Sequence, residues 1–226
     1  MPASTCAPNT RRSGAPLSRL GRRGAVAAAP VLALAALLAP GRPVPAAAAA
    51  WAPQASGTTQ HLNRVAAASE TTAWAVGIAG TIRKTTDGGA NWAGQVSHTT
   101  TVLKGVAAAS ATTAWVVGGT VGSGTILKTT DGGTTWTAQS SGTTAFSGVA
   151  AASETTAWAV GDGGTILKTT DGGTTWTPQS SGKTNNLNAV AAASATTAWA
   201  VGSSGTILKT TDGGTTWTPQ SSGKTV

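Results

Sequence analysis

Thr85-Thr86-Asp87-Gly88-Gly89-Ala90-Asn91-Trp92 is one of four near-identical turns in this 226-residue chain. The others set Asp131 before Trp136, Asp171 before Trp176 and Asp212 before Trp217, and successive aspartates lie 44, 40 and 41 residues apart. A unit of about 40 residues holding several short strands is the signature of a propeller blade. The expected fold is therefore all-β: a β-propeller of four-stranded antiparallel blades. Four blades are expected, over residues 62–97, 103–141, 146–181 and 187–222.

The third copy shows why each unit should be a meander. Phe146 to Ala152 reads as a first apolar strand, Ser153-Glu154-Thr155-Thr156 as a turn, and Ala157-Trp158-Ala159-Val160 as a second strand. A glycine-rich turn through Gly164 leads to Thr165-Ile166-Leu167-Lys168-Thr169, whose β-branched residues suit a pleated, half-buried surface. The Asp171 turn then leads into a fourth strand around Thr175-Trp176-Thr177. One such sheet cannot cover both its faces, whereas stacked blades cover each other. Trp74, Trp115, Trp158 and Trp199 recur at the same place in each unit and should supply that inter-blade core.

Trp51-Ala52-Pro53-Gln54 matches Trp176-Thr177-Pro178-Gln179, so residues 51–55 read as an orphan fourth strand ahead of the first full blade. The last blade already owns its own copy, Trp217-Thr218-Pro219-Gln220. This phasing predicts an incomplete ring, with a closed four-bladed form as the alternative. An arc would leave apolar faces around Trp74 at one end and Trp199 at the other, favouring head-to-tail self-association.

Residues 1–50 hold six of the eight arginines and no acid. They continue through an uncharged Ala/Leu stretch, Gly24 to Gly41, to a small-residue run, Ala46 to Ala50. This is the layout of a secretory signal peptide, implying a secreted, extracytoplasmic protein with no integral membrane segment after cleavage. Arg11-Arg12 and Arg22-Arg23 leave both the general and the twin-arginine export routes open. The one cysteine, Cys6, falls in this leader, so the remainder needs no disulfide. The formal charge of +8 also belongs mostly to the leader, because beyond it seven lysines and two arginines face seven acids. So small an excess gives no basis for a nucleic-acid partner.

The turn T-T-D-G-G-T-T-W matches the Asp-box, or bacterial neuraminidase repeat, four times in register. Its aspartate can accept hydrogen bonds from the backbone of its own turn, and its tryptophan pins that turn to the blade. Asp87, Trp92, Asp131, Trp136, Asp171, Trp176, Asp212 and Trp217 are thus structural residues, with no catalytic residue, cofactor or metal expected. The longer unit L-N-x-V-A-A-A-S-x-T-T-A-W-A-V-G-x-x-G-T-I-L-K-T-T-D-G-G-T-T-W resembles the repeat of the photosystem II stability and assembly factor family. That resemblance covers residues 51–226, about four blades. It implies a non-enzymatic propeller that binds a protein or glycan or scaffolds assembly; the family itself is seven-bladed and acts on the lumenal side of photosynthetic membranes. The family's arginine patch has no counterpart here beyond Arg64 and Arg83. Sialidases share the Asp-box but use a tyrosine nucleophile and an arginine triad, and this chain has no Tyr. A carbohydrate-active alternative would have to pair Asp162 with Glu70 or Glu154.

Gly182-Lys183-Thr184 and Gly223-Lys224-Thr225 mimic the end of a phosphate-binding loop, but Thr177 and Thr218 stand where it needs glycine. Arg83, Lys128, Lys168 and Lys209 read as strand-end charges that keep an edge soluble. Turns joining strands one to two and three to four should share one rim, which barely varies between copies. The other rim holds nearly all the differences, including the insertion that stretches Trp115 to Asp131 to 16 residues against 13 in each other copy. Variation collected on one face of a repeat protein marks a candidate binding face. Its residues are His61, His98, Gly122, Ser123, Phe146, Asp162, Lys183, Asn185 and Asn186.

Overall fold

Residues 52–140, 142–221 and 223 are described by the structure, a computed structural model. The leader expected over 1–50, and Trp51, lie outside the described residues. The described residues form one compact unit. The first blade is β1 (Leu62–Ala67), β2 (Ala73–Gly77), β3 (Ile82–Thr85) and β4 (Ala93–Gln95). The second is β5 (Leu103–Ala108), β6 (Ala114–Thr120), β7 (Ser123–Thr129) and β8 (Thr137–Ala138). The third is β9 (Phe146–Ala151), β10 (Ala157–Gly161), β11 (Ile166–Thr169) and β12 (Thr177–Gln179). The fourth is β13 (Leu187–Ala192), β14 (Ala198–Gly202), β15 (Ile207–Thr210) and β16 (Thr218–Pro219). Each blade is an antiparallel meander with its strands in chain order. The fourth strand starts later than expected, after Trp176, because Thr175 is held back by the turn aspartate.

Apolar residues from adjacent blades form three inter-blade cores. Trp74, Val76 and Ile82 of the first blade meet Val106, Val116, Leu127 and Trp136 of the second. The pattern repeats between the second and third blades and between the third and fourth. Trp74, Trp115 and Trp158 are fully buried, as their position in the repeat predicts.

A bulge interrupts every first strand, between Leu62 and Arg64, Leu103 and Gly105, Phe146 and Gly148, and Leu187 and Ala189. In an unbroken strand, residues three apart point to opposite faces; the extra residue returns them to one face. Phe146 and Val149 therefore enter the same core. This corrects the expectation that Phe146 belongs to a binding face: it is fully buried, in the position of Leu103 and Leu187.

The repeated turn is a hydrogen-bonded knot. In the third blade the Thr169 hydroxyl donates to Asp171 Oδ1 at 2.8 Å and accepts from the Gly173 amide at 2.8 Å. Asp171 also accepts from the Thr175 amide at 3.0 Å and hydroxyl at 2.6 Å. The Thr175 hydroxyl first, then its amide and the Thr169 hydroxyl, hold the Asp171 carboxyl down at about 2. Asp212 is held at about 2 in the same way by Thr216, while Asp87 and Asp131 reach about 2 chiefly through the amides of Asn91 and Thr135.

Each turn is also clasped by the blade before it. Lys84 Nζ donates to the Ala111 and Gly132 carbonyls at 3.1 and 2.9 Å, Lys128 to those of Glu154 and Gly172, and Lys168 to those of Ala195 and Gly213. Each of these lysines lies over the tryptophan opposite it in the sheet, at 4.5 to 4.7 Å from the ring centre. Burial pushes all three below the usual lysine range. Gln95 and Gln179 add a second link, donating to the Gly132 and Gly213 carbonyls while accepting from the Trp136 and Trp217 indoles. The third turn departs from this: among the described residues Gln139 Oε1 and Trp176 Nε1 are both buried without a partner. Both turn glycines serve the clasp, since a Cβ on Gly213 would sit 2.9 Å from Lys168 Nζ and one on Gly214 would collide with Gln179. The lysines are thus inter-blade fasteners and not solubilising edge charges. The register also corrects the alignment: Lys84, not Arg83, pairs with Trp74 as Lys128 pairs with Trp115.

The four blades make an open arc. On the first blade's outer face Val65 is 65% and Leu62 39% exposed, whereas Val106 and Leu103 in the second are buried. On the last blade Val201 is 41% exposed and Trp199 only half-buried. The expectation for Trp199 agrees with this, but that for Trp74 does not. Trp74 points toward the second blade, and the open face carries Val65, Ala75, Arg83 and Trp92 instead. Residues 52–55 form no strand, because no third strand of a preceding blade lies beside them among the described residues. Gln54 still acts as its relatives do, donating to the Gly88 carbonyl and accepting from the Trp92 indole, both at 3.2 Å.

Candidate binding surface

Backbone hydrogen bonds divide the turns between two rims. Gly88, Gly132, Gly172 and Gly213 donate to the Thr71, Thr112, Thr155 and Thr196 carbonyls, so each repeated turn lies beside its blade's first turn. On the other rim Ile78 donates to the His61 carbonyl, Gly80 to Thr101, Asp162 to Ala145 and Ser203 to Asn186. Turns between strands two and three there meet the connections between blades.

Of the candidate residues, the second rim brings Asp162, Lys183, Asn185 and Asn186 together and sets His98 between two concavities. His98 lies beside Gly80, Thr81 and Arg83 in a concavity of about 760 Å³, and beside Gly124 and Thr125 in another of about 280 Å³. Near the fourth blade, the Gly163 amide donates to Asn186 Oδ1 at 3.0 Å, and the Lys183 carbonyl lies against Gly164. Half-buried Asp162 and exposed Lys183 thus flank one turn, with Asn185 half-buried nearby. The insertion does not form a loose loop: it lengthens β6 and β7 into a hairpin. Gly122 and Ser123 stand exposed at its tip, beside Val121. His61 is exposed beside Ile78.

Among the described residues, the three non-glycine residues with left-handed backbone lie on this rim: Ala79 (φ 53°), His98 (φ 55°) and Ser204 (φ 55°). His98 takes a position filled by Gly57, Gly142 and Gly182 elsewhere, and Ala79 and Ser204 that of Gly163. A side chain there costs roughly 1–2 kcal/mol relative to glycine. Ala79, Ser204 and Arg83 were not among the expected site residues. Ala79 and Ser204 stand in a column that holds glycine in the third blade, and Arg83 in one that is otherwise Leu127, Leu167 and Leu208. Asp162 and the two glutamates proposed as its catalytic partners lie on opposite rims: the Glu154 carbonyl receives Lys128, and that of Glu70 adjoins Gly88.

Known proteins share this architecture. A profile of the family described as "Photosynthesis system II assembly factor YCF48" matches residues 143–222. Among solved structures, YCF48 from Cyanidioschyzon merolae aligns with a TM-score of 0.57 at 23% identity, over 72% of this chain and 56% of that one. The GH74 enzyme of Niastella koreensis gives 0.58 at 20% identity, over 71% of this chain and 29% of its own length. A YCF48 bound to D1 peptide gives 0.48 at 18% identity, over 72% and 81%. No curated protein matches in sequence. The chain is an Asp-box β-propeller arc, and its repeat resembles that of the photosystem II assembly factor. The GH74 likeness extends to the fold alone.

Proposed function

We propose that this chain is an exported, non-enzymatic scaffold that binds a protein partner on the rim carrying His98, Gly122, Ser123, Asp162, Lys183 and Asn186. The observation that carries this reading is the coincidence, on that rim, of sequence differences between copies and the three left-handed non-glycine residues found among the described residues. Strain of this kind persists at sites where a side chain is needed. A protein is the favoured partner because the matching family is described as an assembly factor; a glycan is the other class to test. The open end faces add a second contact, between copies of the chain. A glycoside hydrolase would need two carboxyl groups flanking one bond, and Asp162 does not share a rim with Glu70 or Glu154.

Capture from the extracellular fraction of the producing cells, with wild type against His98→Ala and Asp162→Ala, tests the surface. A protein retained by wild type and lost by either variant is expected. Equal retention by all three, or selective binding to a glycan array instead, would overturn the reading. Sequencing the N-terminus of the exported protein tests the leader, with a start near Trp51 expected.

A further inference from the structure

Three internal junctions define how one blade holds the next, through a lysine on two carbonyls and a Trp-Val-Ile face, with a glutamine on a glycine carbonyl at two of them. Each end of the arc carries one half of such a junction. On the fourth blade, Lys209 lies 5.1 Å from the Trp199 ring centre and donates no hydrogen bond among the described residues. Gln220 folds back onto the carbonyls of its own strand, Thr218 and Pro219. Val201 stays 41% exposed while Val117 and Val160 are sealed. On the first blade, the Glu70 and Gly88 carbonyls correspond to the pairs that receive Lys84, Lys128 and Lys168 elsewhere. Apart from its chain neighbours, the Glu70 carbonyl is the one group among the described residues within 4 Å of the point where a Gly88 Cβ would be.

Building on the contact between copies proposed above, we infer that the fourth blade of a second copy docks on the first blade, Lys209 filling its Glu70–Gly88 carbonyl pair. The segment around Gln54 is the gate on this docking. Gln54 already occupies the slot that an incoming Gln220 would take, on the Gly88 carbonyl and the Trp92 indole. Arg83 braces it, donating from Nε to the Ser56 carbonyl at 2.8 Å and from Nη2 to the Trp92 carbonyl. Arg83 also sets a charge where the internal junctions have Leu127, Leu167 and Leu208, so the apolar match is poorest here. Docking therefore competes with a polar cap made by the chain's own residues 54–56. Two copies carry eight blades, within the range of four to eight usual for closed propellers, so docking at both ends makes a symmetric pair.

Sedimentation velocity over a concentration series tests this on the full chain, Lys209→Ala, Gln54→Ala and Arg83→Leu, with urea unfolding to establish that each is folded. The expected result is association weakened about 10-fold by Lys209→Ala and strengthened by a similar factor in Gln54→Ala and Arg83→Leu. Four monomers at every concentration would overturn the docking and the contact between copies together. Association indifferent to Lys209→Ala would overturn this docking site while leaving self-association standing. Association weakened by Lys209→Ala but not strengthened by Gln54→Ala would overturn the gate alone.

Discussion

Replacing Thr169 by valine removes one hydroxyl from the middle of the third turn and leaves the side-chain shape almost unchanged. That oxygen is 1% exposed as part of its residue, accepts from the buried Gly173 amide at 2.8 Å and donates to Asp171 Oδ1 at 2.8 Å. The amide makes no other hydrogen bond among the described residues, and a buried donor left unpaired costs about 1–3 kcal/mol. The bond to Asp171 adds little to the loss, since water can take it over at that exposed carboxylate. The expected destabilisation is therefore about 2 kcal/mol. At a urea dependence of about 2 kcal/mol per M, the unfolding midpoint should fall by about 1 M. The third blade is covered on both sides, so its loss should register in the main transition and not as fraying of an end. Thr169→Ser keeps the hydroxyl and removes only a methyl, worth about 0.8 kcal/mol. Thr175→Val touches only the exposed side of the turn and should stay within about 0.5 kcal/mol. A valine variant as stable as the serine variant would refute the argument that the buried amide, and not the packing, makes this turn rigid.

Three further outcomes follow from the same geometry. The four turn aspartates sit at about 2, below the unfolded value of roughly 3.9. Their stabilisation is therefore complete above about pH 4 and lost as pH falls through 2; the melting temperature should be flat from pH 7 to 5 and drop below 4, and a profile still flat at pH 2 would contradict this. Lys128→Met keeps the stem over Trp115 but loses the bonds to Glu154 and Gly172, and should cost about 1 kcal/mol in urea unfolding. Lys209→Met, which loses no such bonds, should cost less than half as much in dilute solution. A Cβ on Gly148 would lie 2.9 Å from the Ala189 Cα, so Gly148→Ala should cost about 1–3 kcal/mol by forcing β9 from β13. A neutral result would mean that the blades are less tightly joined along their first strands.

Most of the fold was legible because the repeat shows its own alignment. Trp74, Trp115 and Trp158 stand at one register position and are all fully buried, and the strands of the third copy fall within two residues of their expected bounds. What stayed hidden depends on contacts between units. Phe146 looked like a variable loop residue because strict alternation does not anticipate the bulge that turns it inward. The lysines looked like edge charges because their acceptors, such as the Ala111 and Gly132 carbonyls, are backbone atoms 27 and 48 residues away and carry no sequence signature. Arg83 was misread as one of those lysines; the register against Trp74 moves it into the leucine column.

The unequal variation of the two rims has a physical cause. On the turn rim almost every group serves a neighbour: the Thr169 hydroxyl, the Asp171 carboxylate, the two glycines and the Glu154 carbonyl all take part in a knot or a clasp. A change in the threonine or aspartate unties the turn and one in either glycine disturbs the clasp to the neighbouring blade, so drift is suppressed at those side chains. On the other rim the connecting bonds are largely backbone to backbone, such as Gly80 to Thr101 and Ser203 to Asn186, and these leave the side chains unspecified. Drift alone would then fill its left-handed positions with glycine, the cheapest residue in that conformation. His98 and Ala79 depart from that outcome. Replacing His98 by glycine should therefore stabilise the fold by about 1 kcal/mol while reducing capture of the partner. Urea unfolding and the capture assay read those two effects separately. A His98→Gly variant that gains stability and keeps full binding would reduce His98 to drift, and would remove the strongest residue-level argument for that rim.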